Sequence, residues 1–132
     1  MRVRCTELSF KNLHPLTQQI SGYAANGQLA AILIGDEFDV LAIGYDDGSI
    51  WYYLGGDFPS PKPANLFEIV GSAIPDGWVI SSNNVNQKFD LVMCPKLFLL
   101  PDFDTFYWRL CEGDPIAESL LRQYRKNQGW SQ

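Results

Sequence analysis

Reactive side chains are scarce in this sequence, and those present stand apart from one another. His14 is the single histidine and precedes Pro15 at what reads as a helix start, a place for a capping or surface residue rather than a general base. Cys5, Cys94 and Cys111 are odd in number, widely spaced and never in a C-x-x-C arrangement. Neither a disulfide framework nor a structural zinc site follows, and all three read as small buried hydrophobes. A Cys/His pair needs His14 beside one of them, and no local signature sets that up.

Carboxylates are the other candidates, since two of them can divide acid and base work. Asp46 and Asp47 adjoin, but neighbours on a turn seldom converge on one substrate atom, and Asp47-Gly48 is what a tight hairpin asks for. Asp102 and Asp104 read as a turn and a helix cap. Asp36-Glu37-x-Asp39 lacks the length and glycine position of a calcium loop, and a lone histidine does not make the usual zinc site, so no metal is expected. There is no G-x-x-x-x-G-K and no G-x-G-x-x-G after a strand, so no cofactor is expected. The chain reads as non-enzymatic; a small enzyme using carboxylates or a Cys/His pair is a further alternative.

Binding chemistry is better represented. In Ile50-Trp51-Tyr52-Tyr53-Leu54 the side chains alternate across a strand, which places Ile50, Tyr52 and Leu54 on one face and Trp51 and Tyr53 on the other. If one set enters the core, the other must be covered by a helix, by the following proline-rich loop or by a partner. Trp and Tyr dominate interface hot spots, so Trp51 and Tyr53 are candidate contact residues. Asp36, Glu37, Asp39, Asp46, Asp47 and Asp57 are a candidate acidic rim.

These residues need elements to hold them. Met1 to Phe10 reads as a short strand. Pro15, the helical spacing of Leu13, Leu16, Ile20 and Tyr23, and the Asn26-Gly27 stop predict a helix from about Pro15 to Ala25. The runs Leu29–Ile34, Phe38–Ile43 and Ile50–Leu54, parted by turn residues, predict an antiparallel meander. Gly55 to Pro63 carries three prolines in its second half and reads as a surface loop. Leu66–Val70 is a brief apolar element, and Ile74-Pro75-Asp76-Gly77 turns the chain into a strand at Trp78-Val79-Ile80. After a loop from Ser81 to Lys88, Phe89–Met93 and Lys96–Leu100 read as strands broken by Pro95. Asp104 is the expected cap of a helix running to about Cys111 and ended by Gly113. Asp114-Pro115 opens a last helix whose apolar face is Ile116, Leu120, Leu121 and Tyr124. The expected fold is a single α+β domain over 1–132: an antiparallel sheet of five or six strands, one N-terminal helix and one or two C-terminal helices.

Bulk properties agree with one globular domain. The 132 residues are 46% hydrophobic and 19% charged, too apolar for disorder. No apolar run approaches a membrane span and the start is too polar for a secretory signal, so the expectation is a cytoplasmic protein with no membrane contact. The net charge of −5 counts against nucleic acid, which needs a basic face. From Asn12 to Pro61 there is no Lys or Arg, while the six rim acids fall in that span. Such an asymmetry steers a basic partner.

Asp46-Asp47-Gly48-Ser49-Ile50-Trp51-Tyr52, Asn65–Val70, Ile74–Trp78, and Phe106–Leu110 with Glu112–Pro115 together resemble small single-domain bacterial proteins encoded beside polymorphic toxins. The resemblance is to the class and carries over no functional residue. It implies a cytoplasmic immunity protein that binds a cognate, basic toxin domain without catalysis. The alternative is a structural or regulatory interaction module of another assembly, such as a phage or accessory protein.

Overall fold

The segment Glu37 to Asp46 alternates polar and apolar side chains at its start and becomes wholly apolar at Val40-Leu41-Ala42, the pattern of a strand whose surroundings change midway. A computed structural model of the chain describes residues 1–11, 13, 27, 29, 32–46, 49–55, 61–71, 74, 76–82, 91–99 and 102–127. The described strands are β1 (Arg2–Cys5), β2 (Glu37–Asp46), β3 (Ser49–Leu54), β4 (Lys62–Pro63), β5 (Phe67–Ile69), β6 (Trp78–Ser82) and β7 (Leu91–Pro95); helices α1 (Phe103–Cys111) and α2 (Pro115–Asn127) follow. They form a single α+β domain whose described residues hold a seven-stranded antiparallel sheet and two C-terminal helices. The expected helix Pro15–Ala25 lies outside the described residues.

β2 is the axis of the sheet. One of its edges carries β3 and then β4; the other carries β1, with β5 beyond it, along Glu37–Asp39, and β7, with β6 beyond it, along Ile43–Tyr45. The sheet therefore forks on that second edge. Between the branches the β2–β3 register slips: Val40 faces Leu54 and Ala42 faces Tyr53, so Leu41 is an extra residue. A bulge of this kind inverts the alternation of everything after it. Val40, Leu41 and Ala42 are all fully buried as a result, Val40 in one core and Leu41 and Ala42 in another.

The first core lies between the sheet and the helices. Tyr53 sits edge-on between the rings of Phe103 and Tyr107, with centroids 4.8 and 4.7 Å away, and Phe98 stacks on Phe106 at 4.2 Å. The second core, on the opposite face, gathers Val3, Cys5, Val40, Leu54 and Leu66 with Phe10, Leu13, Leu29 and Ile32. β3 thus has a core on each side.

Both helix starts are capped by aspartate. Asp102, not Asp104 as expected, accepts the Thr105 N–H at 2.9 Å and caps α1, because its extended backbone is what an N-cap requires. Residues 103, 106, 107 and 110 then give α1 its sheet-facing side. Gly113 takes φ 79° and closes a Schellman ending, its N–H on the Leu110 carbonyl and that of Asp114 on Arg109. The Asp114 carboxylate accepts the Ala117 N–H at 3.1 Å and starts α2. α2 buries Ala117 and Tyr124 and leaves Ile116 outside, a rotation of one position from the expected face. Trp78 Nε1 donates to the Tyr124 hydroxyl at 2.8 Å, tying α2 to β6.

Three expected elements differ. The described residues of Leu29–Ile34 are not a strand; Leu33 to Asp36 is a turn in which Gly35 adopts φ 95°. Lys62-Pro63, expected in a loop, is a short edge strand paired with Trp51 and Tyr52, where the missing proline N–H costs no ladder bond. Lys96–Phe98 is a 3₁₀ turn rather than a strand, since Pro95 ends β7 and the Leu99 N–H closes on the Lys96 carbonyl. With β1, β4 and β5 all paired, the sheet exceeds the expected five or six strands.

Candidate functional site

The proposed aromatic contact residues are inside the molecule. Trp51 and Tyr53 are each 3% exposed, packed under α1 and α2, and Tyr52 and Leu54 are buried on the other face. Of the residues from Ile50 to Leu54 only Ile50 is exposed. The correction has a plain cause: helices fifty residues downstream cover the Trp51–Tyr53 face, and the second core covers the other.

The acids are distributed differently from each other. Glu37 and Asp39 lie on the solvent side of β2, directly across from Arg4 and Arg2 on β1. Arg2 Nε is 3.0 Å from Glu37 and its Nη1 2.9 Å from Asp39; Arg4 reaches Glu68 on β5 at 2.9 Å and Glu37 at 3.4 Å. The result is an ion-pair ladder across three strands, half-exposed and therefore weak and salt-sensitive. Hydrogen bonding from Arg2, then from Arg4, holds the Glu37 carboxyl below its usual range. The Arg2 guanidinium is raised reciprocally, first by its bond to Glu37. Asp46 closes the β2–β3 hairpin by backbone pairing with Ser49. Asp47 and Asp57 lie outside the described residues.

Asp36 is the structural acid of the group. Its carboxylate accepts the Leu33 N–H at 2.9 Å, its own N–H donates to the Leu33 carbonyl at 3.0 Å, and its carbonyl accepts the Cys5 N–H at 2.8 Å. The Gly35 N–H in turn donates to the Cys5 carbonyl at 2.8 Å. The turn is thus fastened both across itself and to the end of β1. At its tip Leu33 and Ile34 project into solvent, 69% and 64% exposed. Two adjacent large aliphatic side chains in water on a braced turn are the opposite of what folding alone selects. The sequence predicts them in a strand over Leu29–Ile34; the signal that could have found them is Gly35-Asp36, which ends the apolar run with turn chemistry.

The surroundings of the tip are acidic. Burial raises the Cys5 thiol first, and the nearby charges of Asp36 and Glu7 raise it further. Around β1 the described carboxylates are Glu7, Asp36, Glu37, Asp39 and Glu68, against the guanidiniums of Arg2 and Arg4 and the Met1 ammonium beside Asp39. The ladder neutralises part of the acid and leaves an excess.

The two buried thiols are held in the protonated form. Cys5 and Cys94 are fully buried, and burial pushes the Cys94 thiol up to about 12, away from thiolate. Cys111 is exposed near the end of α1. His14 lies outside the described residues. Among the described residues no group of three His, Cys, Asp or Glu side chains is placed to hold a metal ion. No described helix is long and apolar enough to cross a membrane.

Fold and site together define a small α+β domain with a braced apolar tip at an acidic edge. Comparison with known proteins adds no name: no family model matches the chain, and no curated protein or solved structure matches it.

Proposed function

We propose that this chain is a non-enzymatic binding protein for a basic protein surface, and in particular an immunity-type inhibitor of a cytoplasmic toxin domain. The observation that carries the reading is the Leu33-Ile34 pair standing exposed beside Asp36 and Glu37. An apolar pair already held by hydrogen bonds loses little conformational freedom when it docks. It supplies the dry centre of a contact, a role Trp51 and Tyr53 cannot fill from the core. The surplus of carboxylates around β1 supplies a rim that speeds encounter with a basic partner and disfavours an acidic one.

The immunity reading rests on the sequence resemblance and is tested genetically. The toxin-type reading frame adjoining the gene is expressed in bacteria with and without this chain. Restored growth and co-purification of the two products are expected; continued killing, or the absence of any such neighbouring frame, would overturn it.

A further inference from the structure

Among the described residues, the sheet face that holds the second core is covered only at one end. Toward the β2–β3 hairpin the same face is apolar and open to solvent. Its side chains run in two cross-strand rows fixed by the register: Tyr52, Ile43, Met93 and Ile80 on β3, β2, β7 and β6, and Ile50, Tyr45 and Leu91 on β3, β2 and β7. Tyr45, Ile50 and Leu91 are each more than two-fifths exposed and Ile80 is two-thirds exposed. At the fork between the two branches of the sheet the face hollows into a cavity of about 570 Å³, walled by Met1, Ile43, Tyr52, Ile69, Ile74 and Met93 among others. In the same register Lys62 of β4 stands beside Tyr52 at the outer end of the first row, and among the described residues it is the one charged side chain in the two rows.

We infer that this face is where a second copy of the chain docks, forming a two-fold symmetric dimer with the two sheets packed face to face. Three observations select that occupant. The first is area. With Ile69 and Ile74 at its margin, the face leaves on the order of 600 Å² of apolar surface uncovered, taking roughly 200 Å² for a whole large side chain. Two copies then bury about 1,200 Å², the lower bound for a specific interface. The second is charge. A basic partner finds no counter-ion on these rows, and an anionic membrane is repelled by a chain of net charge −5. An identical face, with no carboxylate among the described residues of its rows, has neither problem. The third is shape. A hollow at the fork and a ridge of Tyr45, Leu91 and Ile80 share one face, so a two-fold axis can set each ridge in the other copy's hollow, which is the self-complementarity an isologous contact requires. Met1 and Ile69 at the margin adjoin the acidic edge around β1, whereas Ile80 and Leu91 lie on β6 and β7 beyond it, so changes at those two positions test dimerisation apart from partner binding.

The test is the mass of the full chain in solution by sedimentation equilibrium. At about 100 μM, where a dimer of micromolar Kd is almost fully formed, the wild type is expected at twice its 14.9 kDa mass. Ile80→Glu and Leu91→Glu, both at exposed positions, are expected to keep the wild-type circular dichroism and to weaken the dimer at least about tenfold. Trp108→Glu, on the outer side of α1, should leave it intact. A wild type that stays monomeric overturns the proposal, as does a dimer unchanged by both folded face variants. Should either glutamate variant fail to fold, Ile80→Ser provides the same comparison.

Discussion

The backbone N–H of Leu33 donates to the carboxylate of Asp36 at 2.9 Å, the one side-chain bond among the four hydrogen bonds that hold an exposed aliphatic pair on a fixed turn. Asp36 therefore does more than contribute charge. Replacing it with Ala removes that acceptor and loosens the tip while the backbone bonds remain, with an expected stability loss of about 1 kcal/mol. Urea unfolding of Asp36→Ala against Asp36→Asn checks this, since Asn keeps an acceptor oxygen and should recover most of the loss.

Tyr53 is held between Phe103 and Tyr107 in the helix-facing core. Tyr53→Ala should cost about 3–5 kcal/mol, the range for emptying a buried aromatic site. A denaturation midpoint equal to wild type would mean that the residue is at the surface after all.

The ion-pair ladder sets a pH dependence. Hydrogen bonds from Arg2 depress the Glu37 carboxyl in the folded state below its ordinary value of 4.5. Its contribution to stability is therefore present above that value and is lost as pH falls through the folded-state pKa. Melting temperatures of wild type and Glu37→Gln should differ at neutral pH, with the wild type higher. The gap should close in acid and shrink in high salt.

Thiol chemistry should separate the three cysteines. Cys5 and Cys94 are buried, whereas Cys111 is exposed. Titration of the native protein with a chromogenic disulfide at pH 8 should show one fast thiol per chain, abolished by Cys111→Ser. Three fast thiols would contradict the burial of the other two.

Local chemistry made several elements readable. The Asp-Asp-Gly turn marked the β2–β3 hairpin, and Gly113-Asp114-Pro115 marked the junction of the two helices, because each is decided by the conformational limits of the residues themselves. The bulge at Leu41 was not readable: in Val40-Leu41-Ala42 every side chain is apolar, so no alternation exposes the slip. Lys62-Pro63 looked like loop because proline composition says nothing of an edge position. Asp102 and Asp104 are both competent caps, and only the backbone at the helix start chooses between them.

The site was less legible for a related reason. Whether Glu37 and Asp39 face water alone or pair with Arg2 and Arg4 depends on strand register between segments some thirty-five residues apart. Whether Trp51 and Tyr53 are exposed depends on where α1 and α2 come to rest. The acidic character of the region was visible in the sequence; the burial of Trp51 and Tyr53 and the exposure of Leu33 and Ile34 were not.

The Leu33-Ile34 tip is the centre of the proposed interface. The most direct measurement is the affinity of the purified chain for the proposed partner, the product of a toxin-type reading frame adjoining its gene, compared with that of Leu33→Asp combined with Ile34→Asp, by titration calorimetry. Both side chains are exposed, so the double variant should melt near the wild type. The expected result is a loss of binding of at least about a hundredfold, as for removal of hot-spot contacts. Wild-type affinity in a correctly folded double variant would contradict it.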